Sequence, residues 1–377
     1  MTDDIAPKRL DFVHTLAEEA AAGRKRLLLA PLGAGKTHTL LQVQAALEGA
    51  NVPFVFVDLF MAASTPERFL AILAEAVLPF MAGDADAIQS FARECVDDRH
   101  NASSGLLRLF DLLATHRPSR PFVWLVDEVT EIRSLAYFPD LGQIETSFIK
   151  ALTAGRGAVL ASSYLGLAVD LFPDVEAVSL PGLSPADFSD DLSFRADGPG
   201  AGLAIVLTRG HAATLRLLMS DLQESRDLGR SLTRLLSPGA MLELLCRRHY
   251  EILLMRSRGY AVCKRAAEVV ATNRGQRLTD LFPLIGRTAG ASRQYLRWLV
   301  EVGLLTQVRK RYDFADPVLG LWASVYLGRA LHPTDAALEA AVRSALDGIR
   351  SPSGTTPHAV AEAASLPRRV DRFEEFD

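Results

Sequence analysis

The sequence predicts an α/β fold with a largely parallel sheet, followed by a helical lid and a basic winged helix-turn-helix. Two observations predict the α/β part. Short apolar runs alternate with amphipathic helical stretches up to about residue 183, and a glycine-rich loop follows the first run. A third observation, an excess of basic residues between 241 and 330, indicates that the last part has a separate role.

The composition is that of a globular protein of two or three domains, with 377 residues, 49% hydrophobic and 23% charged. The first residues lack the basic and apolar segments of a signal peptide, and we expect no membrane-spanning stretch. Cys95, Cys246 and Cys263 are too widely spaced for a disulfide scaffold or a CxxC zinc site. We therefore predict a cytoplasmic protein.

Strands and helices are predicted to alternate in the α/β part. The predicted strands are residues 27–29, 52–59, 122–126, 158–162 and 177–180. The predicted helices between them are residues 9–22, 37–47, 66–78, 106–115 and 144–152. Continuous apolar runs of this length are typical of strands that are buried on both faces of a parallel sheet.

Residues 30–37, with the sequence APLGAGKT, lie between the first predicted strand and the next helix. They fit the phosphate-binding pattern GxxxxGK[ST], except that Ala30 replaces the first glycine. Gly33 and Gly35 permit the unusual dihedral angles by which backbone N–H groups turn inward around a phosphate. We expect Ala30 to fit because that position needs only a small residue with a negative φ.

The residues after the glycines complete the predicted phosphate site. Lys36 is expected to reach the β- and γ-phosphates of ATP, and Thr37 to coordinate Mg²⁺. The following helix directs the positive end of its dipole at the anion. The nucleotide-binding residues expected here are Gly33, Ala34, Gly35, Lys36, Thr37 and His38.

Two carboxylates follow the third predicted strand, where ligands bind in parallel sheets. Asp127 is expected to hold the Mg²⁺, and Glu128 to orient or deprotonate the attacking water. The fourth strand ends in two hydroxyl residues, Ser162 and Ser163. Either is a candidate for a polar sensor near the γ-phosphate, and we favour Ser162 as a third catalytic residue beside Lys36 and Glu128.

These motifs resemble the AAA+ P-loop ATPases, and most of all the archaeal-type ATPase group that is related to STAND NTPases and origin-recognition initiators. The resemblance rests on residues 57–60, 126–132, 209–218 and 312–318. It implies an ATPase that uses ATP and Mg²⁺, with a helical lid and a C-terminal winged helix. It also implies nucleotide-dependent homo-oligomers and slow or partner-stimulated hydrolysis, because an arginine supplied in trans commonly accelerates such reactions.

The chain departs from the family pattern in several places. Ala212 stands where the lid motif usually has proline, and the loop at 31–34 lacks the group's common arginine-rich form. Arg216 is a candidate lid sensor that would contact phosphate. Arg156 and Arg195 are the candidates for an arginine finger, and neither has a decisive signal.

The predicted domain division is 1–183 for the ATPase core, 184–238 for the lid and 239–332 for the winged-helix domain. A C-terminal helix and flexible tail follow at 333–377. The spacing of about 90 residues between the lysine and the aspartate of the two motifs is long for a plain AAA+ core. We therefore expect an inserted helical segment around residues 66–115.

The basic part of the chain reads as a winged helix-turn-helix. Residues 241–330 carry 15 Lys and Arg against 7 Asp and Glu, whereas the whole chain carries 41 and 45. Helices are predicted at 262–273, 278–285 and 291–302, and a two-stranded wing at 306–314. Such a module binds duplex DNA through its third helix and its wing. The expected DNA contacts are Arg293, Gln294, Arg297, Arg309, Lys310 and Arg311.

These features support two functional hypotheses. In the first, an AAA+ switch couples its nucleotide state to the binding of double-stranded DNA. In the second, a STAND-like signalling or defence ATPase uses its winged helix to bind a protein partner. Salt-sensitive binding to duplex DNA distinguishes the two.

Overall fold

The chain folds into two units. The first runs to residue 192 and includes His211–Ala213, and the second comprises residues 193–210 and 214 to the end. The structure, a computed structural model, describes residues 9–81, 102–115, 118–188, 200–328 and 332–350. Cys95, Arg195 and the predicted tail from residue 351 lie outside the described residues.

A five-stranded parallel sheet forms the centre of the first unit. Its strands are β1 (Lys25–Leu29), β2 (Phe54–Asp58), β3 (Val123–Asp127), β4 (Gly157–Ser162) and β5 (Glu176–Ser179). They lie in the order β2-β3-β4-β1-β5, and every neighbouring pair is parallel. The α/β prediction is confirmed, and the two apolar runs that form β3 and β4 are buried along their whole length.

Helices cover the sheet and form an aromatic cluster beside it. The helices of the first unit are α1 (Leu10–Ala21), α2 (Lys36–Gly49), α3 (Leu59–Ala62), α4 (Pro66–Val77), α5 (Ala102–Thr115), α6 (Ile144–Ala151) and α7 (Leu165–Leu171). A 3-10 stretch over Val129–Tyr137 follows β3. The rings of Phe69, Phe110 and Phe148 lie 5.6–6.3 Å apart, so α4, α5 and α6 share one packed interior.

The second predicted strand is shorter than expected. It ends at Asp58, because the Asp58 carboxylate accepts a hydrogen bond of 3.3 Å from the backbone N–H of Met61. That contact is an N-cap, and it starts α3 at Leu59, a residue that the apolar pattern assigned to the strand.

The second unit is mainly helical. Its helices are α8 (Ala201–Thr208), α9 (Ala212–Ser225), α10 (Leu228–Leu236), α11 (Met241–Arg256), α12 (Tyr260–Thr272), α13 (Leu278–Ile285), α14 (Ala289–Glu301), α15 (Pro317–Tyr326) and α16 (Asp335–Arg350). The first residues of α9 belong to the first unit. The predicted lid at 184–238 and the predicted winged-helix segment at 239–332 both contribute to the second unit, and their division stays a prediction.

A small antiparallel sheet accompanies helices α12, α13 and α14. Its strands are β6 (Gln276–Arg277), β7 (Leu305–Val308) and β8 (Arg311–Phe314), in the order β6-β8-β7. The chain order is therefore helix, strand, helix, helix, strand, strand. The two-residue strand β6 was not predicted from the sequence. No helix in the described part of the chain is long and apolar enough to cross a membrane.

Candidate active site

The glycine-rich loop joins the carboxyl end of β1 to the start of α2. Gly33 and Gly35 have φ values of 75° and 101°, a region that favours glycine over every other residue. A Cβ atom at Gly35 would also lie only 3.2 Å from the Arg9 guanidinium. Ala30 does not have a positive φ and its side chain is buried, so alanine fits where the motif usually has glycine.

The ammonium group of Lys36 is held above this loop. Its side chain is 5% exposed, and Nζ donates to the carbonyl oxygens of Ala30 at 3.3 Å and Pro31 at 3.2 Å. Nζ also lies 3.3 Å from Oε1 of Glu128. The lysine is therefore positioned by weak, long contacts that a phosphate group of higher negative charge can replace.

Thr37 and Asp127 bring two oxygen atoms together at the carboxyl edge of the sheet. The Thr37 hydroxyl donates to Oδ2 of Asp127 at 2.5 Å. Burial raises the pKa of the Asp127 carboxyl, and the Thr37 hydrogen bond opposes that shift. A buried carboxylate beside a hydroxyl fits a Mg²⁺ ion, which prefers oxygen ligands and keeps several waters. In the described part of the chain, no group of three His, Cys, Asp or Glu side chains could hold a metal.

Glu128 lies in a sharp turn after β3. Its φ is 45°, a left-handed value that costs a non-glycine residue about 1–2 kcal/mol. Oε2 accepts hydrogen bonds from the Ser163 backbone N–H at 2.9 Å and the Ser163 hydroxyl at 2.8 Å. Together with the Lys36 contact, these bonds fix the carboxylate at the same sheet edge as the loop.

The two serines at the end of β4 have different surroundings, and the sensor role predicted for Ser162 stays a prediction. The Ser162 hydroxyl is completely buried, lies 3.1 Å from the Thr130 hydroxyl, and accepts from the backbone N–H of Tyr164. Successive strand residues point to opposite faces, so only one of the two serines can reach Glu128. The residue that contacts Glu128 is Ser163, the other serine that the sequence offered as a sensor.

A segment distant in sequence closes over the glycine-rich loop. Nε2–H of His211 donates to the Leu32 carbonyl oxygen at 2.7 Å, and the backbone N–H of Ala213 donates to the Gly33 carbonyl oxygen at 3.0 Å. Both contacts lie within the first unit. The sequence predicted a lid motif at residues 209–218, but no local pattern indicated that this motif donates hydrogen bonds to the carbonyl oxygens of the glycine-rich loop.

Arg9 is a functional candidate that sequence reasoning missed. Its guanidinium is buried and donates to the Ala34 carbonyl oxygen at 3.1 Å. Burial lowers the pKa of Arg9 to about 10, and the Asp187 charge partly opposes this. Burial, and then the Arg9 charge, lower the pKa of His38, whose Nε2 has no hydrogen-bond partner among the described residues. Arg9 precedes the loop by more than twenty residues, so no local pattern identifies it.

Comparison with known proteins supports the same interpretation of the fold. No protein-family model and no curated protein matches the sequence. Among solved structures, the chain is similar to the Walker-type ATPase Paby2304 of Pyrococcus abyssi, with a TM-score of 0.59 and 16% identity. The match covers 84% of this chain and 95% of that one. The chain therefore shares the fold of this Walker-type ATPase, an α/β fold with a parallel sheet.

Two further solved structures match this chain less well. The replication initiator DnaA, bound to AMPPCP and single-stranded DNA, has a TM-score of 0.32 and 12% identity over 77% of this chain and 86% of that one. RuvB of Thermotoga maritima has a TM-score of 0.33 and 16% identity over 83% and 93%. These TM-scores are too low to support any argument about this chain.

Arg156 and Arg216, the described arginines that were predicted to act at the ATP site, belong to different units of the chain. Arg156 directly precedes β4, at the amino edge of the sheet and opposite the loop, and its backbone N–H donates to Phe122. Arg216 is exposed on α9 in the second unit. Neither a finger role for Arg156 nor a lid-sensor role for Arg216 is tested by these positions, and both stay predictions.

The predicted DNA-contacting residues of α14 differ in solvent exposure and in their hydrogen-bond partners. Arg293 is exposed and Gln294 is half-buried. The Arg297 guanidinium donates to the Glu301 carboxylate at 3.0 Å, one helical turn along α14. Glu301 is thus a neighbour that the sequence reasoning did not take into account.

The predicted wing residues form the connection between β7 and β8. Arg309 and Lys310 are both exposed and have φ values of 49° and 63°. They form a two-residue hairpin turn of the type that usually needs Asn and Gly. Arg311 donates from its guanidinium to the Gly275 carbonyl oxygen at 2.8 Å, so its position is fixed within the small sheet.

Proposed function

We propose that this chain binds ATP with Mg²⁺ and hydrolyses it, and that the nucleotide state controls the binding of double-stranded DNA by the second unit. The observation that carries the first half is the convergence of four side chains at one sheet edge, namely Lys36, Thr37, Asp127 and Glu128. A cation, a hydroxyl beside a buried carboxylate, and a second carboxylate are the groups that phosphoryl transfer to water requires.

Binding of ATP would begin at the glycine-rich loop. The backbone N–H groups of the loop and the start of α2 would hold the phosphates, and Lys36 would leave Glu128 to contact the β- and γ-phosphates. Thr37 and Asp127 would hold Mg²⁺, which would neutralise charge on the phosphate oxygens. The first effect of binding is therefore to free Oε1 of Glu128.

Glu128 would then act on the attacking water. Its carboxylate would accept the water proton as the oxygen forms a bond to the γ-phosphorus and the bond to the β-phosphate oxygen breaks. Ser163 would hold the other carboxylate oxygen during this step, as its two hydrogen bonds support. Lys36 would stabilise the negative charge that develops on the transferred group.

ATP binding and turnover by the purified full chain test this half. We expect Lys36→Ala to lose both binding and turnover, whereas Glu128→Gln should keep binding and lose turnover. Glu75→Gln, at an exposed carboxylate on α4, is the matched control for a carboxylate-to-amide change. Full turnover in Lys36→Ala would contradict the proposed site.

The second half, DNA binding, is supported by the α12–α14 region and its small sheet. The order of its helices and strands is typical of winged helix-turn-helix domains. Residues 241–330 have an excess of eight basic residues. Arg293, Arg309 and Lys310 are exposed there, and a basic surface of this kind binds phosphate groups.

Fluorescence anisotropy with a labelled duplex, over a range of salt concentrations, tests DNA binding. We expect Arg293→Ala and the double variant Arg309→Ala/Lys310→Ala each to weaken binding and to reduce its salt dependence. Arg230→Ala, an exposed arginine on α10, should leave the affinity unchanged.

One observation favours a protein partner as the second candidate function. Glu301 places a carboxylate on the same helix as Arg297 and pairs with it, which lowers the positive charge that α14 can offer to phosphate. A chain that shows no salt-dependent duplex binding would instead fit the STAND-like alternative.

A short segment supports coupling between nucleotide and DNA. Arg209 donates to the Ala315 carbonyl oxygen at 2.9 Å within the second unit, directly after β8. His211, two residues later, and Ala213, four residues later, donate to carbonyl groups of the glycine-rich loop. A change in the loop upon nucleotide binding would therefore reach Arg209 through the covalent chain.

A further inference from the structure

Helix α11 carries an exposed stripe that neither the ATPase site nor the DNA-binding proposal uses. The α11 stripe consists of Met241, Leu244, Arg248, Glu251 and Met255. Its members are spaced alternately three and four residues apart, so they lie along one side of the helix. The three apolar members are 60%, 46% and 74% exposed, in chain order.

The stripe is distinct from the face by which α11 packs inside the second unit. Leu242, Cys246, Tyr250 and Leu254 are buried against that unit, and Tyr250 contacts the ring of Trp322 on α15. The internal packing of the helix is therefore satisfied without the stripe. Exposed large apolar side chains in a row indicate a surface that another molecule covers.

The two charges in the middle of the stripe have no ion-pair partner in the described part of the chain. Arg248 and Glu251 are both exposed, whereas the neighbouring Arg247 pairs with the buried Glu243 at 2.8 Å. A basic and an acidic residue without partners, flanked by apolar residues on both sides, can pair with the same residues of a second copy of the helix.

The complementarity appears when a second copy of the helix runs antiparallel. With a twofold axis midway between residues 249 and 250, Arg248 faces Glu251 of the second copy and Glu251 faces its Arg248. The same axis places Leu244 opposite Met255 of the second copy, at both ends. A parallel pair would instead place like charges against each other, which is unfavourable.

We propose that the α11 stripe is a homodimer interface in which two copies of this chain pair antiparallel. The central contacts are two reciprocal Arg248–Glu251 ion pairs, and the flanking contacts are Leu244 against Met255. A single pair of four-turn helices buries less surface than stable interfaces of about 1,200 Å² or more, so the dimer is weak and concentration-dependent. It needs no nucleotide, because the stripe contains no residue of the ATP site.

Sedimentation equilibrium of the purified full chain, without nucleotide or DNA, tests the interface. Arg248→Glu and Glu251→Arg each replace two attractive contacts by two repulsive ones, and we expect each to raise the dimer dissociation constant at least about tenfold. A mixture of the two variants forms heterodimers in which both contacts are again attractive. The mixture should therefore dimerise about as strongly as the unaltered chain.

The mixing experiment separates this interface from a loss of folding, because a misfolded variant cannot be rescued by its partner. Arg230→Glu on α10 makes the same charge change away from the stripe and should leave dimerisation unchanged. Three outcomes would overturn the proposal: an unaltered chain that stays monomeric up to its solubility limit, a dimer that Arg248→Glu does not weaken, or single variants that do not dimerise when mixed. The measurement is independent of ATPase activity, so its failure leaves the proposed function untouched.

Discussion

At the residue scale, the two serines at the end of β4 differ in the side chain that each hydroxyl contacts. Ser162 and Ser163 are chemically identical neighbours, but strand geometry turns one hydroxyl toward Thr130 and the other toward Glu128. Replacing each in turn therefore separates a structural contact from a contact with the proposed base.

Ser163→Ala removes the hydroxyl that donates to Glu128 and leaves the backbone donor in place. We expect kcat to fall about tenfold with little change in KM, because the carboxylate loses orientation while ATP contacts persist. Ser163→Thr should restore most of the rate, and Ser162→Ala should change thermal stability more than kcat. Steady-state kinetics check this, and a larger loss of kcat in Ser162→Ala would contradict it.

Arg9 is the second residue whose replacement gives a sharp result. Arg9→Met keeps the buried aliphatic volume and removes the hydrogen bond to Ala34. Because a less firmly held loop binds phosphates more weakly, we expect the dissociation constant for ATP to rise roughly fivefold to tenfold. Arg24→Met, at an exposed arginine, is the control. Isothermal titration with ATP measures both, and equal affinities would show that Arg9 has no role in the site.

The sequence allowed prediction of the site residues that are close in the chain to a strand end. Lys36 and Thr37 follow β1, and Asp127 and Glu128 lie at the end of β3, where parallel strands bring their carboxyl ends together. Arg9 and His211 were beyond reach for a physical reason. Their contacts with the loop depend on how distant segments pack, and no local pattern records that packing.

At the scale of elements, the β7–β8 hairpin combines strain with charge. Arg309 and Lys310 occupy left-handed positions that cost about 1–2 kcal/mol each, where Asn and Gly would cost less. Strained residues that persist are typical of functional positions. The strain of the two turn residues therefore supports a functional role for them, which we propose to be contact with DNA.

Replacing the two turn residues tests both the strain and the proposed DNA contact. Arg309→Asn/Lys310→Gly should raise the free energy of unfolding by about 1–2 kcal/mol, because the turn strain is relieved. The same variant should weaken duplex binding and lower the slope of its salt dependence by about 2, because two phosphate contacts are lost. Arg309→Lys/Lys310→Arg keeps both charges and should keep the affinity. Denaturation and anisotropy check both effects, and a variant that gains stability with unchanged DNA affinity would remove the wing from the interface.

Prediction of elements succeeded where apolar periodicity was strong. The buried strands β3 and β4 and the helices α13 and α14 lie within a few residues of their predicted bounds. The unpredicted elements have other causes. Helices α10 and α15 are started by the caps Asp227 and Asp316, whose side chains accept from the first turn. Strand β6 has only two exposed residues, so it exists through pairing with β8 alone.

At the scale of the whole molecule, the segment from Arg209 to Ala213 is the expected route from nucleotide to DNA. Arg209→Ala removes the hydrogen bond to Ala315 and leaves the loop contacts of His211 in place. We expect ATP turnover to stay within about twofold, while DNA affinity stops responding to nucleotide. Arg226→Ala, at another exposed arginine with a left-handed φ, is the control. An Arg209→Ala chain that keeps the full response would exclude this route.

The affinity of the full chain for a labelled DNA duplex, measured in the two nucleotide states, tests the proposed control of DNA binding by ATP. Glu128→Gln holds the ATP state without turnover, and ADP supplies the other state. We predict dissociation constants that differ at least about fivefold between the two states, and no difference when Lys36→Ala is also present. Equal affinities with ATP and ADP, in a chain that binds both nucleotides, would contradict the claim that nucleotide state controls DNA binding.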